Sequence, residues 1–538
     1  MRGRKRFVNR KTLRAALSAL TAIGAVLMIG VPTATAAELP QSEAQPRTAD
    51  FQAWDSAADF SLGERTGVEI DRDETLSLTS MPEGRTSYAD PFADHRAAVE
   101  YETGTWTSPV HDIGFEASDA IVSWNATTPT GTWVQSEMRG RHADGTWTDW
   151  FVMGRWASGM DFAAGDIHRT SVDGQSNADG DVYTDTFSAA DGRPIVSDQA
   201  RVTLLRPVGA LADVSVSLVS VVASRPATGT TTTSTSSMTE DTVLDVPQLS
   251  QEIHRGEYPE FDNGGEAWCS PTSSSMVLGY WKKGPTSADL QSVTAPNGDP
   301  QVDWAAMHTY DFAYEGAGNW PFNTAYSASF GLKSFVTRMP NLAEAETYIA
   351  AGIPLVASVA FTQAELPQAG YSTNGHLLVI VGFTAAGDVI VNDPYSPTNA
   401  DVRRIYPRAN FERVWLKGSN GTAYVTLPQG HPLPGEASPV SPTTPTDSDP
   451  ANPKSSPAGP TAPAVQQNPV PSAGAEDQQG VPSSSGTAGD QPQQLAQTGS
   501  DLAAWRAAAA AAAGVTLAGL FTAMVGRRRN VRRLARGR

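Results

Sequence analysis

One cysteine stands in the 538-residue chain, Cys269, within Gly264-Gly265-Glu266-Ala267-Trp268-Cys269-Ser270-Pro271-Thr272. A helical pattern follows, with Met276, Val277, Tyr280 and Trp281 on one side. Pro271 suits a first helical turn, where its missing N–H is not needed. Cys269 is therefore expected at or just before a helix N-terminus, where the dipole favours a thiolate. Such a lone cysteine is either a buried bystander or a nucleophile, and a nucleophilic thiol needs a base. Of eight histidines, three lie in the same region: His254, His308 and His376. Only His376 opens a strand, Gly375-His376-Leu377-Leu378-Val379-Ile380-Val381-Gly382-Phe383. A turn at Ala385-Ala386-Gly387-Asp388 leads into Val389-Ile390-Val391-Asn392-Asp393-Pro394. This hairpin brings Asp393, at the end of its second strand, towards His376 at the start of its first. The register misses by a few residues, so a bulge or a splayed strand end is required. Asp393 would then orient the imidazole and favour its charged form. Singly, His376 reads as a polar strand end and Asp393 as a turn-initiating Asp-Pro. Together with Cys269 they read as base, orienter and nucleophile.

The elements that must hold these groups form an α+β pattern. Asn341-Leu342-Ala343-Glu344 opens a helix expected to end at Gly352, and residues 353–361 read as a buried strand. Gly316-Ala317-Gly318-Asn319-Trp320-Pro321-Phe322-Asn323 reads as a loop entering another helix. Trp320 and Phe322 there are candidates for a substrate cleft or, equally, for core.

Val246-Pro247-Gln248-Leu249-Ser250-Gln251, Trp268-Cys269-Ser270-Pro271-Thr272, the His376 strand and Asn392-Asp393-Pro394 together resemble papain-like cysteine peptidases of the bacteriocin-leader-processing, or double-glycine peptidase-like, type. The resemblance covers about residues 243–425, within a domain read as 243–428. It implies an α+β papain-like domain with Cys269 as nucleophile, His376 as base, Asp393 as orienting acid and a glutamine completing the oxyanion hole. Gln251 holds the matching position, 18 residues before Cys269, and residues 254–265 read as an insertion. Asn263 or the Cys269 backbone N–H are the alternatives for that role. Ser270 stands where Gly is common. The chain lacks a Walker-type phosphate loop, so coupling to transport is not expected. Nothing in the sequence calls for a cofactor or a metal.

Residues 45–225 read as short alternating strands around turns, expected to form an all-β sandwich preceding the peptidase-like domain. Seven of the chain's 13 Trp lie here. They read as core, with a carbohydrate-binding platform as the alternative. Asn177, Asp179, Asp181 and Asp185 are oxygen-rich but lack EF-hand spacing, and are expected to form a solvated turn. Residues 226–242 read as a Ser/Thr-rich hinge.

Both ends carry basic charge. Residues 1–37 hold seven Lys or Arg, an apolar run and Ala34-Thr35-Ala36, the pattern of a signal peptide for Sec or twin-arginine export. Residues 432–494 form a Pro/Ser/Thr-rich linker. Residues 495–538 combine Leu495-Ala496-Gln497-Thr498-Gly499, an apolar run at 507–526 long enough to span a bilayer, and an Arg-rich tail. This resembles an actinobacterial LAxTG sorting signal, similar to LPXTG. It implies that sortase joins Thr498 to peptidoglycan and leaves the protein exported, at the cell surface, attached to the wall. Without the two ends the chain holds 24 basic against 56 acidic residues, which excludes a generic nucleic-acid binder. A monomer is the default. The expected function is cysteine peptidase action on a peptide or protein substrate. The alternatives are a peptidoglycan stem-peptide amidase or endopeptidase, and a non-catalytic adhesin using a glycan-binding sandwich.

Overall fold

The computed structural model describes residues 48–94, 97–226 and 232–435. The expected signal peptide (1–37), most of the linker (432–494) and the sorting segment (495–538, with Thr498 and the 507–526 run) lie outside the described residues. No helix among the described residues is long and apolar enough to cross a membrane.

Alternating apolar residues in the first half close two antiparallel sheets of seven strands each. One runs Gly180–Tyr183, Thr186–Ala189, Asp119–Thr127, Ser215–Arg225, Leu76–Leu78, Val68–Ile70, with Thr48–Trp54 also paired to Ser215–Arg225. The other runs Phe151–Trp156, Trp133–His142, Ile195–Pro207, Val99–Thr107, Glu64–Thr66. Gly84–Tyr88 and His111–Ala117 pair off that path. Their inner faces meet through Trp54, Trp106, Trp124, Trp156, Phe151 and Phe187. Trp133 is buried in a smaller cluster with Tyr101 and Leu205. The strand that carries Trp156 begins at Phe151. Trp147 and Trp150 lie half-buried before it, stacked under guanidinium groups: Arg139 is 4.4 Å from the Trp147 ring and Arg201 4.1 Å from the Trp150 ring. The other five of the seven are buried in the sandwich.

The second half is built on a third antiparallel sheet, ordered Leu332–Arg338, Thr422–Pro428, Leu355–Phe361, Thr373–Phe383, Val389–Asn392, Arg403–Tyr406. The Cys269–Tyr280 helix lies against it, Met276 and Val277 packing with Leu377, Val379 and Val381. Asn341 caps the Leu342–Ala350 helix by accepting the Glu344 N–H at 3.1 Å, and Gly352 takes the left-handed φ of 77° beyond its end.

The two halves are not separate bodies on a hinge; all described residues fall in one compact unit. Phe322 packs on Trp124 and Trp156 of the sandwich, so Phe322 and the equally buried Trp320 are core and line no cleft. The Ser/Thr-rich segment also departs from expectation. Beyond residue 231 it is pinned to the peptidase-like half: Ser236 and Ser237 bind the Glu346 carboxylate, and Ser234 binds Glu412 and Arg408. Glu346 in turn pairs with Arg408 at 2.6 Å.

Candidate active site

Cys269 is the first residue of its helix, and Trp268 occupies the N-cap position without a side-chain cap. The helix start therefore leaves backbone N–H groups beside the thiol. His376 lies on Thr373–Phe383, and Asp393 follows Val389–Asn392. The register between these strands jumps from Ile380 to Gly382, which is the bulge the hairpin spacing requires. It brings His376 Nε2 to 2.8 Å from Asp393 Oδ1, leaving the other ring nitrogen for the Cys269 side chain. All three residues are buried. Burial would lower the His376 pKa. The Asp393 carboxylate and the Cys269 side chain outweigh it and raise the value to about 10. For Asp393, burial acts upward, and the charge and hydrogen bond of His376 with the Tyr406 hydroxyl bring it below the usual carboxylate range.

Two residues that sequence spacing did not reveal complete the acid. Tyr371 donates to Asp393 Oδ2 at 2.9 Å and Tyr406 donates to the same oxygen at 2.6 Å. Oδ1 also accepts the Tyr395 N–H at 3.0 Å. The carboxylate thus takes four hydrogen bonds, near its full acceptor capacity, and its direction is fixed. The rings of Tyr371 and Tyr395 stand edge-on to the imidazole. Replacing Tyr406 by Phe should lower stability by about 1.5–3 kcal/mol, the value of a hydrogen bond to a charged group. Thermal unfolding of the variant measures this. No change would mean that Tyr371 alone suffices.

Gln251 is fully buried, and its Nε2 donates to the Gly265 carbonyl at 2.9 Å, four residues before Cys269. Its backbone N–H donates to Pro394 O at 3.0 Å, and the neighbouring Ser250 hydroxyl donates to Ser396 O. The segment carrying Gln251 is thereby latched to the turn carrying Asp393. The insertion folds into short 3-10 turns that return the chain to the glutamine, so the 18-residue gap is closed in space. Asn263, the alternative, is exposed in a left-handed turn. Ser270 shares a hydrogen bond of 2.9 Å with the buried Tyr424 hydroxyl. His308 is stacked on Trp304, away from the acid–base pair, and burial lowers its pKa to about 3.

The sandwich also reaches this region. Asp185, in the turn between Gly180–Tyr183 and Thr186–Ala189, accepts the Trp320 N–H at 2.7 Å. Burial pushes its carboxyl up to about 6 against the bonds from Trp320 and Thr186. Thr184 beside it has a φ of 54°, a costly conformation for a β-branched residue. The half-buried Tyr314 lies close enough to Asp185 and Cys269 for the charge of each to act on it. Asp185 is thus an interface residue and does not join Asn177, Asp179 and Asp181 in a solvated turn. Asn177 closes that turn by accepting the Asp179 and Gly180 N–H groups.

A papain-like cysteine peptidase domain is the class that this sheet and helix define. Residues 243–422 match the family model described as Peptidase_C39 like family, and residues 50–224 match the Peptidase C39 N-terminal domain. The chain thus carries, in order, a region matching the Peptidase C39 N-terminal domain and a region matching the Peptidase_C39 like family. No curated protein matches it. Among solved structures it is similar to one named for a C39-like peptidase of Bacillus anthracis, at 20% identity over 35% of this chain and 97% of that one, TM-score 0.23. It is also similar to carbohydrate-binding modules of the β-sandwich superfamily, at 10% identity over 31% and 54% of the two chains, TM-score 0.14. A third similarity is to the CBM22-1–GH10 modules of Clostridium thermocellum xylanase 10B, at 10% identity over 38% and 33%, TM-score 0.15.

Proposed function

We propose that the protein hydrolyses peptide bonds through a thioester acyl-enzyme. Cys269 Sγ attacks the carbonyl carbon, and the His376 imidazolium gives its proton to the leaving amine. Water, deprotonated by His376, then releases the acid product and restores the thiol. The Cys269 backbone N–H and the second Nε2 hydrogen of Gln251 are the donors for the oxyanion. The observation that carries this reading is the His376–Asp393 contact of 2.8 Å, with the acid saturated by hydrogen bonds and the lone cysteine on the far side of the ring.

The protein is exported by residues 1–37 and joined through Thr498 to the wall, with residues 432–494 as the spacer; the three segments in order support this. Wall placement also favours the second reading, in which the bond cleaved lies in a peptidoglycan stem peptide. Wild type and Cys269→Ala are incubated with a mixed peptide library and with purified peptidoglycan, and products are identified by mass spectrometry. Cleavage of library peptides by wild type alone is expected. Release of muropeptides alone would move the substrate to the wall. No turnover by a folded protein whose Cys269 resists alkylation would leave the adhesin. Muropeptide-linked Thr498 in wall digests tests the anchor.

A further inference from the structure

His254 and Glu257 lie in the insertion between Gln251 and Cys269. Asp303 lies on the Pro300–Thr309 helix, which packs against the Cys269–Tyr280 helix. All three are buried, His254 and Asp303 completely. His254 Nδ1 is 2.8 Å from Glu257 Oε2 and 3.3 Å from Asp303 Oδ2. Among the described residues they are the one group of three or more His, Cys, Asp or Glu whose ligand atoms all lie within 4.8 Å of one another. A single Nδ1 hydrogen serves one carboxylate, and the shorter contact gives it to Glu257. Both Asp303 oxygens and His254 Nε2 have no hydrogen-bond partner. Two carboxylates beside at most one imidazolium leave negative charge in the interior, an arrangement proteins compensate by pairing or by a metal.

We propose that His254 Nδ1, Glu257 Oε2 and Asp303 Oδ2 bind a divalent transition-metal ion of the zinc type. Bonds of about 2.0–2.2 Å to nitrogen and carboxylate oxygen put neighbouring donors about 2.8–3.6 Å apart, which matches both measured separations. The imidazole sets the site apart from the all-oxygen cages of calcium and magnesium. Asn297 donates to Glu257 Oε1 at 2.9 Å, orienting the carboxylate from outside. The ion closes the insertion onto the helix. Inside that loop the His254 carbonyl abuts Gly264, where any Cβ would come within 1.9 Å of it. The metal therefore holds Gln251 and Gly265 together next to Cys269. Its role is structural, and it takes no part in bond cleavage.

The test uses the full-length chain as Cys269→Ala, so that the catalytic thiol cannot take up metal. After loading with Zn²⁺ and dialysis, one equivalent per chain is expected by elemental mass spectrometry. The unfolding temperature should rise by roughly 3–4 °C at a hundredfold excess over Kd and fall again with EDTA. Asp303→Asn in the same background should lose both effects, and Glu266→Gln should keep both. If Asp303→Asn does not fold, metal content and the EDTA response of the parent decide. A parent that retains no metal, with Asp303→Asn as stable or more stable, would make the cluster a proton-sharing pair and overturn the proposal. Retention of Ca²⁺ in preference to Zn²⁺ would overturn the imidazole as ligand.

Discussion

Asp393→Ala should lower kcat/KM by about 10³–10⁴-fold, the scale seen when the acid of a triad is removed. The acid does two things here. It fixes the ring through the 2.8 Å contact with Nε2, and its charge keeps the imidazole protonated in a site whose burial acts the other way. The sign is set by the raised His376 pKa. The stabilisation from the charged ring is complete below the ordinary value near 6.5 and is lost as pH rises through about 10. Wild type should therefore hold its activity into the alkaline range. In Asp393→Ala burial wins, the ring is neutral at neutral pH, and the thiolate loses its partner. Tyr371, Tyr406 and the Tyr395 N–H also lose their acceptor, at about 1–3 kcal/mol for each orphaned group, so folded fraction must be measured beside rate. Asp393→Asn separates the two roles. Its carbonyl still accepts from Nε2 and its amide faces the tyrosine hydroxyls, so orientation survives while charge is lost. Because Asn fills this position in Cys-His-Asn triads, we expect a smaller loss than for Asp393→Ala, with the alkaline limb moved down towards 6.5. A pH profile of kcat/KM for the three proteins checks this. An Ala variant within tenfold of wild type and with the same alkaline limb would remove Asp393 from the mechanism.

The grouping of Cys269, His376 and Asp393 was legible because each residue sits where local rules act. Pro271 marks the start of a helix beside Cys269, and hairpin arithmetic joins His376 to Asp393 once a bulge is allowed. The bulge at Val381 supplies the missing step. Gln251 was legible by motif but not by spacing, since the folding back of the insertion depends on contacts with Pro394 and Ser396 far along the chain. Tyr371 and Tyr406 could not be found in the same way. They stand 22 and 13 residues from Asp393, and no period relates them to it. The polar residues Ser123 and Asn125 alternate along a strand as a solvent face does. A period of two says which residues share a face but not what covers it. Here the cover is the second domain. The same limit explains Phe322, an aromatic after a glycine-rich loop that fills a groove of the sandwich.

Excision of the sandwich should abolish folding of the peptidase domain. The strand Leu332–Arg338 ends its sheet and pairs with Thr422–Pro428 on one side. On its other side the sandwich strand Asp119–Thr127 supplies side chains in place of a backbone ladder. Asn125 donates to Ser334 O at 2.6 Å and accepts the Ser334 N–H at 3.0 Å, and the Ser123 hydroxyl accepts the Val336 N–H at 2.9 Å. Phe335 stacks on Phe51 at 4.6 Å, and Arg338 binds the Ser224 hydroxyl. Residues 243–428 alone would expose an unpaired edge flanked by Phe322 and Phe335, the arrangement that invites association with other strands. The fragment is expected to be insoluble, and the intact protein to unfold in one calorimetric transition. A point variant isolates the edge from the bulk apolar contact. Asn125→Leu keeps the volume but leaves the Ser334 N–H and C=O unpaired in the interior, at about 2–6 kcal/mol for the two groups. It should lower the single transition without splitting it. Two separate transitions in wild type, or a soluble fragment with the activity of the whole chain, would mean that the sandwich rests on a self-sufficient enzyme. The single transition would make the sandwich the missing face of the peptidase core, and would explain why the strained turn at Thr184 and the carboxylate of Asp185 sit where the Trp320 helix begins.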